Sequence, residues 1–212
     1  MVLGHLTTIF VERHQGSYSC NITKTQIMKR YLLLSFLLVL VLSSCVVLSF
    51  YPLYTEDTMV DVPALEGTWQ VSDETWTISR LKGDTPEYIL TQTDSEKEAV
   101  YAVHAVKLGK HYFLDMQADV SDDLYTLAFN YPMHAFYKLD LSDPASPLLY
   151  AFDSEYLEQL FEQRKIRIRH EYDPNMGIYV LTAPTAELQQ FMRKYADDPK
   201  AFSDPGELVR IR

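Results

Sequence analysis

Leu65-Glu66-Gly67-Thr68-Trp69-Gln70-Val71 is the stretch on which the fold turns. A glycine two residues ahead of a tryptophan, inside a run of strand formers, reads as a strand that bends at its start and carries a large apolar anchor. Four more strand signals follow with no helical pattern between them, at residues 75–81, 87–93, 99–108 and 112–116. Trp76 and Ile78 alternate with Thr75, Thr77 and Ser79, and Tyr88 and Leu90 alternate with Glu87 and Thr91, the period of two that a half-buried strand requires. Turn formers separate the runs: Ser72-Asp73, Lys82-Gly83-Asp84, Thr93-Asp94-Ser95 and Gly109-Lys110. Strands this close in sequence, joined by tight turns, pair antiparallel as a meander.

Beyond residue 120 the pattern changes. Residues 124–129, 133–141 and 148–152 still read as strands. Asp153-Ser154 then caps a helix to about residue 164, with Tyr156, Leu157, Leu160 and Phe161 on one face. Residues 166–172 alternate apolar and basic, so Arg167 and Arg169 share one face of a predicted strand. Asp173-Pro174-Asn175-Met176-Gly177 is a turn leading into a strand at 178–182. Pro184 opens a second helix, in which Leu188, Phe191, Met192 and Tyr195 fall at i, i+3, i+4 and i+7. The expectation is a single β-rich α+β domain over residues 64–212, mostly antiparallel. It is a meander or barrel, with the two helices of the C-terminal half plugging one end or packing on the wall.

Upstream, Met28-Lys29-Arg30 precedes a long apolar run that closes on Leu42-Ser43-Ser44-Cys45, the layout of a secretory signal. Those last four residues resemble a bacterial lipobox. The resemblance implies that residues 28–44 are a lipoprotein signal peptide and that Cys45 receives lipid (palmitate among its acyl chains) as the first mature residue. Residues 45–63, with Pro52, Pro63, Glu56, Asp57 and Asp61, read as the lipidated cysteine and a tether. Residues 1–27 fit no signal layout; they are predicted to be a gene-model extension ahead of a start at Met28, the alternative being a short disordered tail. A spanning helix is the rival to lipidation, because the twenty residues from Tyr31 to Phe50 carry no charge. Lys29 and Arg30 would then hold the N-terminus inside. Either way the domain lies across the membrane. The expected location is the cell envelope, lipid-anchored and facing the periplasm from the outer membrane, with a single-pass protein as the alternative.

Gly67-Thr68-Trp69 also resembles the element that opens the first strand of lipocalin-like (calycin) barrels. That resemblance covers the β-rich part only. It implies that an arginine of the last strand stacks on the tryptophan, and Arg210 and Arg212 of Leu208-Val209-Arg210-Ile211-Arg212 are the candidates. Gly67, Trp69, Arg210 and Arg212 are therefore expected as structural residues. From Pro52-Leu53-Tyr54-Thr55 to Trp69 the chain is similar to uncharacterised bacterial lipoproteins, a family with no activity to carry over.

From Cys45 onward the chain has 15 Lys and Arg against 28 Asp and Glu, a net charge of −13. Such a surface repels nucleic acid, which is excluded as a partner. Cys20 and Cys45 are the two cysteines, so the domain beyond Cys45 has neither a disulfide framework nor a thiolate site. Of the histidines His104, His111, His134 and His170, the first two with Asp115 form the one candidate metal or acid–base cluster, and half-exposed strand histidines explain them better. Asp119, Asp122 and Asp123 lack the glycine and closing glutamate of a calcium loop. No catalytic residue, metal ligand or cofactor site is assigned, and the protein is expected not to be an enzyme. Lys165, Arg167 and Arg169 are the one basic cluster, a candidate anion or ligand contact. The expected function is a membrane-anchored, non-enzymatic module that binds a small apolar ligand. The alternative is an envelope protein-interaction or assembly factor without a cavity, its protein partner unknown.

Overall fold

The structure, a computed structural model, describes residues 47–94, 97–118, 133–174 and 177–211. Strand β1 (Val47–Ser49) comes first, and the meander follows: β2 (Gly67–Val71), β3 (Glu74–Arg80), β4 (Glu87–Thr93), β5 (Glu98–Leu108), β6 (His111–Ala118) and β7 (His134–Asp140). Each pairs antiparallel with the next from β2 to β7. In β3 and β4 the expected alternation holds, with Trp76, Ile78, Tyr88 and Leu90 buried and Thr77 and Ser79 exposed. Gly67 starts β2 at φ +143°, backbone that residues with a Cβ rarely adopt. Gly109 takes φ +67° in the two-residue turn that sets Leu108 opposite His111.

At β7 the sheet forks. Its first two residues, His134 and Ala135, pair with Ser49 and Leu48 of β1, and Tyr137–Asp140 pair with β8 (Leu148–Ala151). On one branch β1 runs parallel to β10 (Ile178–Leu181), which pairs with β9 (His170–Asp173), the open edge. On the other, β8 pairs with β11 (Gly206–Glu207), and β12 (Val209–Arg210) pairs with β2. The sheet is therefore open. The barrel expected as an alternative to the meander is not formed, because β2 and β8 meet only through this short terminal segment, two residues on either side of Leu208.

Residues 47–63 are not a tether. Phe50 N–H donates to the Leu181 carbonyl, Leu53 is fully buried, and Met59 bridges to Val106 beyond the end of β4. Helix α2 (Thr185–Tyr195) fastens the same segment, with Thr185 Oγ1 donating to the Pro52 carbonyl and Gln189 Nε2 to that of Leu53. Its prolines and acids gave the look of a linker, whereas Val47, Leu53, Val62 and Leu65 do the packing. No helix among the described residues is long and apolar enough to cross a membrane.

Both faces of the central strands are buried. Trp69, Trp76, Ile78, Leu90, Val103, Leu114, Met116 and Leu139 form a core on one face. On the other, Val106, Leu108, Phe113 and Phe136 pack against Leu157 and Leu160 of α1 (Ser154–Glu162) and Leu188, Phe191 and Met192 of α2. The helices thus cover the wall. Asp153 caps α1 by accepting from Tyr156 N–H at 2.8 Å. The strand expected over 166–172 begins only at His170, because its partner β10 ends at Leu181 and the chain turns into α2.

Candidate functional site

The core around Trp69 is closed at one end by a 3₁₀ turn, Pro63–Leu65, just ahead of Gly67. Trp69 is fully buried, and its Nε1 donates to the Leu65 carbonyl at 2.8 Å. Arg210 places its guanidinium carbon 4.1 Å from the Trp69 ring centre, and its two terminal nitrogens donate to the carbonyls of Glu66 and Ala64 at 3.0 and 2.9 Å. Tyr88 adds a second fastening: its hydroxyl accepts from Val62 N–H at 2.7 Å and donates to Asp61. Burial and the Asp61 hydrogen bond push the Tyr88 hydroxyl up to about 12.

At the other end of this core lies a cavity of about 530 Å³. Its walls are the start of β3 (Glu74, Trp76), Gln92 of β4, Tyr101 of β5, Met116 and Ala118 of β6, Ala135 and Tyr137 of β7 with Met133 just before it, and Leu48 of β1. The polar groups are few. Trp76 Nε1 donates to Glu74 Oε2 at 3.1 Å. Burial raises the Tyr137 hydroxyl, with Tyr101 and Glu74 adding to it, so it stays a neutral donor near pH 7. Such a space suits a mainly apolar molecule with one or two hydrogen-bonding groups, and Glu74 disfavours an anion there.

A polar cluster occupies the opposite face. Asp115, 1% exposed, accepts from His134 Nδ1 at 2.6 Å and from Leu53 N–H at 2.6 Å. With Nδ1 donating, Nε2 of the neutral ring is left to accept from the Gln117 amide at 3.1 Å. Tyr54 stacks on His104 with ring centres 3.9 Å apart and meets His134 edge-on at 6.3 Å. Burial pushes His104 below its ordinary value. The expected grouping of His104, His111 and Asp115 therefore divides. His104 and Asp115 are cross-strand neighbours, but His111 pairs with Asp197 at 3.3 Å. The partner missed from sequence is His134, which only the β6–β7 register brings to Asp115. No group of three metal-ligating side chains occurs among the described residues.

The basic cluster also divides. Arg169 forms an ion pair with Glu187 at 3.4 Å, whereas Lys165 and Arg167 line a cleft against α2. Cys45, Arg212, the acids Asp119, Asp122 and Asp123, and the expected strand at 124–129 lie outside the described residues. No protein-family model, curated protein or solved structure matches the chain.

Proposed function

We propose that the protein is a lipid-anchored module of the cell envelope that holds a small, largely apolar ligand in the cavity beside Trp76 and performs no reaction on it. The cavity carries this reading: about 530 Å³ walled by Leu48, Trp76, Tyr101, Met116 and Tyr137 is of the size and lining of a small-molecule site. The Gly67–Trp69 element, with Trp69 buried beneath Arg210, supports the lipocalin-like assignment of the β-meander. A lipid on Cys45 is favoured over a spanning helix by length. With residues 47–49 taken into the sheet, sixteen uncharged residues, Tyr31–Val46, remain upstream of the fold. A spanning helix needs about twenty. The proposed location is the outer membrane, facing the periplasm.

Mass spectrometry of organic extracts from the purified full-length protein tests the reading. A bound apolar compound near one-to-one is expected, lost in Ala135→Trp and in Gln92→Trp, each of which fills the cavity from a different strand. Absence of any extractable ligand, or equal loading of folded filled variants, overturns it in favour of an interaction factor that docks through its surface. Cys45→Ser should abolish palmitate incorporation and release the protein from membranes; unchanged fractionation would overturn the anchor.

A further inference from the structure

Residues 165–169, between α1 and β9, run alongside α2 with Ile168 buried, Ile166 half-buried, and Lys165, Arg167 and Arg169 exposed. Between this segment and the helix lies a cleft of about 270 Å³. Apolar groups of Ile166, Ile168, Phe191 and Tyr195 line it, together with the cations Lys165, Arg167 and Lys194. Among the described residues none of these three cations has an acidic partner within ion-pair distance. Lys194 instead sits 4.9 Å over the Tyr195 ring. The one acid of the lining, Glu187, is engaged by Arg169 at 3.4 Å.

Three cations around one cleft, none in an ion pair among the described residues and only Lys165 within electrostatic reach of an acid, Asp198, stand out on a chain that carries −13 from Cys45 onward. Elsewhere that charge repels an approaching anion, while here two ammonium groups and a guanidinium border one concave, partly apolar space. Guanidinium presents a planar fork of donors suited to phosphate oxygens, and two lysines supply the further charge that a dianion needs. The aromatic and aliphatic lining offers burial to whatever the phosphate is attached to. We infer that this cleft is a second binding site, for a phosphate-bearing amphiphile held by Lys165, Arg167 and Lys194 with its apolar part against Ile166 and Phe191. It is separate from the cavity at Trp76, where Glu74 sets the opposite charge preference.

Dihexanoyl phosphatidic acid, titrated into the purified full-length protein in a non-ionic detergent, tests the site, with dihexanoyl phosphatidylcholine as control. Saturable binding of the phosphatidic acid is expected, weakening as salt is added. Arg167→Ala and Lys194→Ala should each reduce affinity by roughly tenfold or more, the loss of one charge-assisted hydrogen bond. Lys82→Ala, on the distant β3–β4 turn, and the cavity variant Ala135→Trp should bind as the parent does. Nanodiscs of phosphatidylcholine, with and without phosphatidylglycerol, separate the sources of the phosphate. Hydrogen-exchange protection of residues 165–169 that appears with phosphatidylglycerol and is lost in Arg167→Ala assigns it to the bilayer. Protection by the dissolved amphiphile alone assigns it to a free ligand. No saturable binding, equal binding of the phosphatidylcholine, or undiminished affinity in both cleft variants overturns the site.

Discussion

Arg210 and Trp69 are cross-strand neighbours in the register of β12 with β2, and the guanidinium covers the indole while tying down the 3₁₀ turn that precedes Gly67. One side chain thus joins the last strand, the first strand of the meander and the turn that closes one end of its core. Trp69 supplies the buried area, and Arg210 the connection.

Trp69→Ala should cost about 3–5 kcal/mol, as truncation of a fully buried aromatic does, and so unfold a marginally stable domain or nearly so. Arg210→Ala should cost less, about 1–2 kcal/mol, since the arginine is exposed on its outer side and the indole stays buried. Arg210→Lys should recover little, because a single ammonium lacks the fork that reaches both carbonyls. Urea denaturation of the three variants checks the order.

Asp115→Asn should destabilise by about 1–3 kcal/mol. A carboxylate accepts from both His134 Nδ1 and Leu53 N–H, whereas an amide facing the same two donors leaves one of them unsatisfied. Hydrogen exchange should show the loss concentrated in residues 50–59, which Asp115 holds to the sheet, rather than in β2–β4.

Stability should fall as pH drops below about 6.5, the ordinary histidine value. His104 is depressed by burial, with Glu87 and Asp115 opposing and His134 reinforcing the shift, so the unfolded chain takes up the proton first. Its neutral form is therefore fully stabilising above that value, and the stabilisation is lost as pH falls from there through the lower folded pKa. His104→Gln should flatten this part of the melting-temperature profile. Asp61, held below the usual carboxylate range first of all by the Tyr88 hydroxyl, contributes a later loss below about 3.8, which His104→Gln should leave in place.

Much of the meander was legible because its signals are local. Trp76 and Ile78 alternate with polar neighbours, and Leu188, Phe191, Met192 and Tyr195 repeat at helical spacing, so a short window decides each element. Strand β1 was not legible. Val47, Leu48 and Ser49 prolong an apolar run that reads in sequence as an export signal, and nothing local separates strand from signal. The pairing of Asp115 with His134 was hidden for a different reason: the two are nineteen positions apart and meet only through the strand register. Lys194, next to last in its helix, gave no hint that it shares a cleft with Lys165 and Arg167.

The fork at β7 has a consequence for how the chain folds. Leu48 pairs with Ala135 and Val180, which lie 87 and 132 positions downstream. The first of the described strands to emerge during synthesis is therefore among the last able to find its neighbours, since β10 must be delivered before the slot beside β7 is complete. Contacts of such long range are slow to form, whereas the hairpins from β2 to β6 need only their own turns. The domain should nucleate in the meander and finish at β1, so that until the sheet closes around it Val47–Ser49 stays a loose end, and afterwards it is locked between β7 and β10.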